Sequence, residues 1–277
     1  MPEPGATPPP GALLVCATPI GNLGDVTLRV LDELRRAAVA ACEDTRRSRV
    51  LLERHGIALP LVALHEHNER AQIPALLSRI AAGDRVCLLT DAGMPAVSDP
   101  GALLIRAALD EELQVVVLPG ASAAVSALVA SGMAGGGFVF AGFLPRTAGG
   151  ITALLTRLDA ACLPLVAFES ARRLPVTLAH LAALDAGRPV AVCRELTKLH
   201  EQVARGSAAE LAERFFTPPR GEITLVLGAR EQAPAALPDQ ALLAELAAAL
   251  GAKRASALAA ELSGLPRNRI YAAITSR

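Results

Sequence analysis

The sequence has little that would carry it into or across a membrane. Although 52% of its 277 residues are hydrophobic, no apolar run reaches the roughly 18 residues that a membrane-spanning helix needs. The first eleven residues, MPEPGATPPPG, lack the basic start and the apolar run of a signal peptide, and we expect a disordered leader over residues 1–11. The sequence therefore predicts a cytoplasmic protein with no membrane partner.

Cysteine and histidine are also scarce, which argues against disulfides and metal sites. The five cysteines stand far apart and form no CxxC pair, so we expect reduced cysteines in the core. His65 and His67 form an H-x-H pair, but no cysteine adjoins them and no third histidine follows at ligand spacing. We predict that the protein holds no metal.

Lysine is nearly absent, and the charges balance. Two of the 27 basic residues are lysines, and the formal net charge of zero argues against non-specific coating of nucleic acid. The charges are spread unevenly, because residues 252–277 hold five basic residues and one acidic residue. This tail is a candidate for a specific contact with nucleic acid.

Apolar runs alternate with amphipathic patterns through the first half of the chain. The runs at 13–17, 37–42, 61–64, 85–90 and 114–118 predict short buried strands. The helical patterns between them lie at 28–36, 47–55, 73–82 and 102–111. This alternation is typical of a mainly parallel sheet covered on both faces. We place an N-terminal α/β domain at residues 12–135, ending in the glycine-rich segment 132–137.

The second half predicts another α/β domain, over residues 136–230, with a mixed sheet. Its strands are expected at 138–142, 163–168, 189–194, 201–204 and 222–227, with fewer helices between them. Ser207 and Glu210 form an S-x-x-E capping box, which predicts a helix running to about Phe216.

Residues 236–277 predict a small helical unit. Ala/Leu-rich patterns cover 239–250 and 254–262, and Pro266 fits the first position of a third helix that carries Arg267 and Arg269. Two helices, a glycine turn and a basic third helix are typical of a helix-turn-helix unit. Three helices packed as a plain C-terminal cap would give the same pattern.

Three loops rich in turn-forming residues follow predicted strands. They are TPIGNLGD (18–25), TDAGMPAVSDPG (90–101) and the start of LPGASAAVSALVASG (118–132). None is the G-x-G-x-x-G dinucleotide fingerprint, and the chain has no Walker A motif. Because the carboxyl ends of parallel strands meet at one sheet edge, these loops predict the wall of a ligand pocket. The small residues Ser122 and Ala123 suit either a carboxylate at a helix N-terminus or close strand–helix packing.

Two polar segments are expected at the same edge. CEDTRRSR (42–49) and LHEHNE (64–69) each follow a predicted strand. Carboxylates, imidazoles and arginines gathered in this way suit the positioning of a hydroxyl nucleophile beside a phosphate-rich substrate. A solvated loop with an ion pair is the alternative.

In order and spacing, nine segments resemble the tetrapyrrole methylase superfamily and, within it, the ribosomal RNA small subunit methyltransferase I family. They are ATPIGNLGDVTLR (17–29), ACEDTRRSRVLLERHGI (41–57), HEHNE (65–69), TDAGMPAVSDPG (90–101), LPGASAAVSAL (118–128), GFLPR (142–146), FESARRL (168–174), RELTKLHE (194–201) and RGEITLVL (220–227). The likeness covers the chain from about Leu13 to the C-terminal helices. Met94, Ala171 and Arg172 depart from the commoner family residues.

The resemblance implies two α/β domains of tetrapyrrole-methylase type, with S-adenosylmethionine folded into the cleft between them, and a helical RNA-binding appendix. It implies a homodimer that methylates the 2′-hydroxyl of a cytidine in 16S rRNA, near the decoding centre of the small ribosomal subunit. The implied cofactor contacts are Pro19, Asp91, Ala92, Gly93, Val97, Ser98, Ser122, Ala123, Phe168, Glu195, Leu196 and Thr224.

Catalytic and RNA-binding residues are assigned within this framework. We hypothesise that Glu66, His67 or Glu69 accepts the proton of the 2′-hydroxyl. The arginines expected to contact RNA are Arg46 and Arg47 beside the cleft, and Arg254, Arg267 and Arg269 in the appendix.

Two other functions fit parts of the sequence. A methyltransferase for porphyrin or corrin precursors would share the fold, but its chain would end near Gly228, whereas a basic helical tail follows here. A non-catalytic regulator that senses a nucleotide and binds DNA would need no polar mouth, so HEHNE and EDTRR argue against it.

Overall fold

The computed structural model describes residues 11–230 and 237–276. The predicted leader, apart from Gly11, and the first residue of the predicted appendix lie outside these ranges. The chain divides into two compact units, one ending at Ala229 and the other starting at Arg230. Within the described ranges, no helix combines the length and the apolar content that a membrane crossing requires.

A five-stranded sheet forms from the first half of the chain. Its strands are β1 (Ala12–Cys16), β2 (Val39–Cys42), β3 (Leu61–Ala63), β4 (Arg85–Leu89) and β5 (Gln114–Leu118), in the order β3-β2-β4-β1-β5. Every neighbouring pair is parallel. The connecting helices are α1 (Leu28–Arg36), α2 (Thr45–Arg54), α3 (Glu69–Ala81) and α4 (Ala102–Asp110). Leu13 and Leu14 enter core clusters on opposite faces, so the predicted doubly covered parallel sheet is confirmed.

Helix α3 begins at Glu69 rather than near the predicted position 73. The side chain of Asn68 accepts a hydrogen bond from the His65 N–H at 2.8 Å and donates to the Ala63 carbonyl at 2.9 Å. These bonds fold HEHNE into a tight turn that leads directly into the helix. The polar segment is therefore a helix entrance and not an open loop.

The second half forms a mixed five-stranded sheet, as predicted. Its strands are β6 (Val139–Phe143), β7 (Leu165–Ser170), β8 (Pro189–Arg194), β9 (Gln202–Ser207) and β10 (Glu222–Leu227), in the order β6-β7-β10-β8-β9. Strands β6 and β7 are parallel, and the other neighbours are antiparallel. Three helices connect the strands: α6 (Ala148–Leu158), α7 (Leu174–Leu184) and α8 (Ala208–Arg214). The predicted capping box of Ser207 and Glu210 starts α8.

Helix α5 (Ala123–Ser131) follows β5 but packs on the second sheet. Ala124, Ala127 and Leu128 lie in one apolar cluster with strand residues such as Val166 and Val226. The small alanine side chains allow the helix to approach the strands closely. The change of packing therefore falls between β5 and α5, before the predicted domain limit at residue 135.

The second unit holds the three predicted helices, α9 (Gln240–Leu250), α10 (Ala252–Ser263) and α11 (Arg267–Thr275). Its small core contains Leu243, Ala259, Leu265 and Ile270. Gly264 ends α10 with a left-handed φ of 69°, which glycine adopts without steric cost. Pro266 is the N-cap of α11 and not its first helical residue.

Candidate active site

The predicted loops meet at the carboxyl edge of the first sheet. Thr18, just after β1, pairs with Gly93, and the Thr18 N–H donates to the Gly93 carbonyl at 2.8 Å. The Thr18 hydroxyl also donates to the Thr90 carbonyl at 3.0 Å. Two of the three turn-rich loops are thus joined by backbone bonds, which fixes one wall of a cleft.

A cavity of about 520 Å³ opens between this edge and the second sheet, and we call it the apolar cavity. Its wall residues are Ile20, Glu43, Arg47, Asp91, Ala92, Gly93, Met94, Val97, Ser98, Asp99, Ser122, Ala123, Ala124, Phe143, Phe168, Glu169, Ser170, Ala171, Cys193, Leu196, Gly221, Glu222, Ile223 and Thr224. Its volume is typical of pockets for small organic ligands, which span roughly 300–1,000 Å³.

A second cavity of about 540 Å³ lies beside it, and we call it the polar cavity. It is lined by Glu43, His65, Glu66, His67, Glu69, Ala96, Ser98, Asp99 and Pro100. Glu43, Ser98 and Asp99 line both cavities. These three residues therefore mark the place where a group in one cavity meets a group in the other.

Most of the predicted cofactor contacts come together in the apolar cavity. Asp91, Ala92, Gly93, Val97, Ser98, Ser122, Ala123, Phe168, Leu196 and Thr224 line it. Pro19 and Glu195 are not among its wall residues, and a cofactor contact by either stays a prediction. Glu195 turns its carboxylate to the Lys198 ammonium at 2.9 Å and to the Glu222 N–H at 2.9 Å. Pro19 is followed by Ile20, whose side chain occupies the wall instead.

The loop between Met94 and Gly101 is held in an unusual backbone conformation. Ala96 and Ser98 have left-handed φ values of 67° and 68°, which are costly for residues with a Cβ. The Ala96 N–H donates to the Pro100 carbonyl and the Val97 N–H to the Met94 carbonyl, both at 3.3 Å. These bonds hold Ser98 and Asp99 at the junction of the two cavities.

Three carboxylates lie around Thr90 at this junction. The buried Thr90 hydroxyl donates to Glu43 Oε2 at 3.2 Å. Asp91 accepts the Asp44 N–H at 3.1 Å and pairs with the Arg47 guanidinium at 3.3 Å. Burial raises the pKa of Asp99 to about 6, and the negative charges of Glu43 and Asp91 add to this shift against the opposing Thr90 hydrogen bond.

The structure separates the three residues that were expected to accept a proton. Glu69 is buried, and its Oε1 accepts the backbone N–H groups of Gly101, Leu103 and Leu104 at 3.0–3.1 Å. This carboxylate binds the N-terminus of α4, which is a structural role, and its assignment as a proton acceptor stays a prediction. Glu66 and His67 lie 3.3 Å apart with side chains that are 81% and 83% exposed. For these two, a role in catalysis stays a prediction.

Arg46 and Arg47 lie at the start of α2, beside the cleft. The Arg46 side chain is 89% exposed and contacts Asp44 at 2.7 Å, and this hydrogen bond lowers the pKa of Asp44 to about 2. Arg47 lines the apolar cavity while leaving more than half of its side chain exposed. Both guanidinium groups are accessible to phosphates, so the predicted RNA contacts stay open to test.

The arginines of the helical unit differ from one another. Arg267 donates from Nη2 to the Lys253 carbonyl at 2.9 Å, which ties its guanidinium to α10. Arg254, Arg267 and Arg269 are all exposed. A contact of these arginines with nucleic acid stays a prediction.

A contact between the two halves closes one side of the apolar cavity. The Thr197 hydroxyl accepts the Asn22 N–H at 3.0 Å. Gly21 lies so close that a Cβ on it would stand 2.5 Å from Lys198 Cγ and 2.9 Å from the Leu196 carbonyl. We call this contact the clasp, formed by Gly21 and Asn22 on one side and by residues 196–198 on the other. Gly21 is therefore required because residues 196–198 approach its backbone closely, and not only because it lies in a turn.

Glu43, Asp99 and Phe143 were missed by reasoning from the sequence. Glu43 stands immediately after β2, and Asp99 lies inside the longest turn-rich loop, so both positions carried a signal. Phe143 ends β6 and stands 5.5 Å, centroid to centroid, from Phe168 across the cavity wall. Nothing in the sequence distinguishes it from a core phenylalanine.

Four of the five cysteines are buried, as expected for core residues, and Cys162 is partly buried. Among the residues that the structure describes, no three His, Cys, Asp or Glu side chains are grouped in a way that could hold a metal ion.

Comparison with known proteins agrees with this geometry. The family model described as Tetrapyrrole (Corrin/Porphyrin) Methylases matches residues 12–212, and the model of the RsmI C-terminal HTH domain matches residues 232–276. A solved uroporphyrin-III C-methyltransferase from Thermus thermophilus, complexed with S-adenyl homocysteine, is similar in fold with a TM-score of 0.57. It is 22% identical, and the likeness covers 78% of this chain and 96% of that chain. Fold and cleft thus define a protein of the tetrapyrrole methylase class.

Relatives with higher sequence identity show which family of this class the chain belongs to. A protein of Mesorhizobium japonicum named ribosomal RNA small subunit methyltransferase I is 43% identical over 96% of this chain and 92% of its own length. A protein of Micromonospora olivasterospora with the same name is 41% identical over 94% of this chain and 85% of its own length. The chain therefore belongs to the ribosomal RNA small subunit methyltransferase I family, and the resemblance seen in the nine segments is confirmed.

Proposed function

We propose that this protein transfers a methyl group from S-adenosylmethionine to the 2′-hydroxyl of a cytidine in 16S ribosomal RNA. The observation that carries the proposal is the pair of adjoining cavities in a chain of this family. The apolar cavity has the volume for a nucleoside-sized ligand, and the polar cavity meets it at Glu43, Ser98 and Asp99. Two reactants can thus meet at one place.

S-adenosylmethionine fits the apolar cavity by the chemistry of its walls. Ser122 caps α5, and the small side chains of Ala123 and Ala124 leave its first turn open to a carboxylate. Phe143 and Phe168 offer apolar faces to an adenine ring. When bound, the cofactor supplies an electrophilic methyl group on a positively charged sulfur.

The polar cavity suits a ribose better than a phosphate. Six of its nine lining residues are Glu, Asp or His. Carboxylates accept hydrogen bonds from hydroxyl groups and repel phosphate oxygens. The flanking phosphates would instead contact Arg46 and Arg47, which lie exposed at the start of α2.

The chain's contribution to the reaction is mainly alignment. The joined loops at Thr18 and Gly93 fix one wall, and the left-handed loop at Ala96 and Ser98 fixes the junction. Holding oxygen, carbon and sulfur in line replaces a bimolecular encounter by a positioned one. The polar groups at the junction also provide a place for the proton that leaves the hydroxyl.

We further propose the biological context that the family implies. The helical unit would add RNA contacts through Arg254 and Arg269, and the substrate would be the rRNA within the small ribosomal subunit, in the cytoplasm. A homodimer would cover exposed apolar side chains such as Val117, Val125 and Val129. Light scattering of the purified protein tests the dimer.

Transfer of labelled methyl from S-adenosylmethionine tests the function. Unmodified small ribosomal subunits should accept the label, and mapping of the rRNA should locate it on one cytidine ribose. Uroporphyrinogen III serves as the comparison substrate for the tetrapyrrole alternative. Label on the porphyrinogen with none on the subunits would overturn the proposal.

A further inference from the structure

One edge of the second sheet carries three exposed arginines that the proposed function does not involve. Strands β6 and β7 end at this edge and β10 begins there, because β6 is parallel to β7 and β10 is antiparallel to it. Arg146 follows β6 by three residues, Arg172 follows β7 by two, and Arg220 precedes β10 by two. All three residues are exposed, and we call them the arginine rim.

Two other arginines hold the backbone of the rim in place. Nη2 of Arg173 donates to the carbonyls of Leu144 and Pro145 at 2.9 and 2.7 Å, which ties the turn after β7 to the segment after β6. Nη1 of Arg194, at the end of β8, donates to the Arg220 carbonyl at 3.0 Å. The three outer guanidinium groups therefore extend from a backbone that is fixed to the sheet.

The charges of the rim are not neutralised within the chain. Among the residues that the structure describes, no carboxylate forms an ion pair with a rim arginine. Glu195 and Glu222, at the same edge of the sheet, each contact the Lys198 ammonium at 2.9 Å instead. Several exposed guanidinium groups without acidic partners favour binding of a ligand that carries a series of anionic groups.

The rim borders the apolar cavity. Ala171 and Gly221, which line the cavity, are the sequence neighbours of Arg172 and Arg220. Arg47 lines the same cavity from the first half of the chain. Arginines therefore border the cavity on both halves of the chain. The rim residues themselves are not among its wall residues, so they lie outside the site proposed for the cofactor.

We propose that the arginine rim binds backbone phosphates of the substrate RNA, on the half of the cleft opposite Arg46 and Arg47. This inference rests on the proposed methyl transfer to ribosomal RNA. A nucleotide whose ribose enters the polar cavity has phosphates on both flanks, and a strand that crosses the cleft places its two flanks on different halves of the protein. Phosphates repeat along the strand, and guanidinium groups bind their oxygens through paired hydrogen bonds. The rim holds one flank, and Arg46 and Arg47 hold the other.

The first test removes the three charges of the rim together. The triple variant Arg146→Gln, Arg172→Gln and Arg220→Gln should bind unmodified small ribosomal subunits about 30-fold or more weakly at about 0.1 M salt. The slope of log affinity against log salt should decrease in magnitude by about 2, because each phosphate contact on a single strand contributes about 0.7. At saturating subunits the methylation rate should change little while KM rises, since the rim contacts no reacting group. Filter binding and labelled methyl transfer measure these quantities.

The matched control is the triple variant Arg36→Gln, Arg54→Gln and Arg157→Gln. These arginines are exposed and lie in the last turns of α1, α2 and α6. Each of these helices starts at the carboxyl end of a strand and runs back along the sheet, so its last turn lies away from the cleft. The control should bind subunits as the unchanged protein does. Both triple variants should keep their affinity for S-adenosylmethionine in calorimetry.

Two results of the first test would overturn the proposal. One is subunit binding by the rim variant within about threefold of the control. The other is a loss of affinity with an unchanged salt slope, which would indicate a contact with ribosomal protein and not with phosphates.

The second test locates the RNA without removing an arginine. The photoreactive residue p-benzoylphenylalanine replaces Ala148, which is exposed in the first turn of α6, close to Arg146. In a second variant it replaces Val50, which is exposed on α2 one turn after Arg46. After irradiation with small subunits, the two positions should crosslink to rRNA on opposite sides of the methylated cytidine. Crosslinks from position 148 to ribosomal protein alone, or to the same side as those from position 50, would refute the proposal.

The two levels of inference fail in different ways. If the unchanged protein binds S-adenosylmethionine but leaves subunits unmethylated, the proposed function fails, whatever the rim variant shows. If the unchanged protein methylates subunits and the rim variant binds and methylates them as the control does, only the assignment of the rim fails.

Discussion

The two cavities are similar in volume, but they are built in different ways. The apolar cavity takes its walls from both sheets, from Ile20 in the first half to Thr224 in the last strand. The polar cavity is built from three short segments of the first half alone, at 43, 65–69 and 96–100. One therefore depends on how the two halves are aligned, and the other depends on local turns.

This difference separates two requirements of a group-transfer enzyme. A site assembled from both halves fixes the position of a bulky donor, because residues that are far apart in the chain contact it together. A site assembled from local turns presents polar groups to a partner whose shape is variable. Substitutions at residues that line the polar cavity alone should alter what is methylated without disturbing the donor's site, and the predictions below test that separation.

The largest expected effect is on cofactor binding, from filling the apolar cavity. Ala123→Leu places a larger side chain from the first turn of α5 into the cavity. Overpacking of this kind costs about 1–3 kcal/mol, so the affinity for S-adenosylmethionine should fall roughly 10- to 100-fold. Calorimetry measures the affinity, and Ala183→Leu on the exposed face of α7 is the control. Unchanged binding by Ala123→Leu would place the cofactor elsewhere.

The next effect is on stability, and it separates two glutamates of HEHNE. Glu69→Ala leaves three backbone N–H groups of α4 without their acceptor, which should cost at least about 2 kcal/mol in free energy of unfolding. Glu66→Ala removes an exposed side chain and should change it by less than about 0.5 kcal/mol. Urea denaturation measures both. Equal stability of the two variants would contradict the structural role of Glu69.

A smaller effect is expected from disturbing the clasp. Gly21→Ala adds a Cβ that would stand 2.5 Å from Lys198 Cγ and 2.7 Å from Thr197 Oγ1, so residues 196–198 must move. Because Leu196 lines the apolar cavity, cofactor affinity should fall about tenfold. Gly135→Ala has open space around its Cβ and is the control. The chemical shifts of His65 and His67 in the polar cavity should not change. If they change in Gly21→Ala but not in the control, the proposed independence of the polar cavity is wrong.

The smallest effect is expected at the exposed arginines. Arg46→Gln should weaken binding to small ribosomal subunits about three- to tenfold and reduce its salt dependence, because one phosphate contact is lost. Cofactor affinity should not change. Arg35→Gln, an exposed arginine on α1, serves as the reference. A loss of subunit binding that is the same at low and high salt would argue against a phosphate contact.

Much of the fold was predictable because its strands are buried apolar runs. The strands of both sheets begin and end within a few residues of their predicted limits, since burial on both faces makes each run conspicuous. Helices α6 and α7 were not located in advance. Helix α6 opens with Ala-Gly-Gly and α7 with Leu-Pro, so packing residues such as Ile151 and Leu178 stabilise them more than their helix propensity does.

The sequence was enough to predict which loops form the site, but not which role each residue has in it. The position of a loop after a parallel strand is enough to place it at the ligand edge, and seven predicted cofactor contacts that follow β4 and β5 line the apolar cavity. The three contacts from the second half, Phe168, Leu196 and Thr224, were implied by the family resemblance alone. The role of Glu69 depends on a helix more than thirty residues further along the chain. The environment of Asp99 depends on Glu43, which follows the neighbouring strand β2 and lies far from Asp99 in the sequence. Such long-range contacts leave no local pattern in a sequence.

The bonds of Glu69 have a consequence for anyone who surveys this region by mutagenesis. Its carboxylate holds the start of α4, which follows directly on the segment that carries Asp99. Replacing it should loosen that segment and abolish turnover without any loss of a reacting group. A survey that measures activity alone would rank Glu69 among the reactive residues. Only a parallel measurement of protein stability would show that its role is structural.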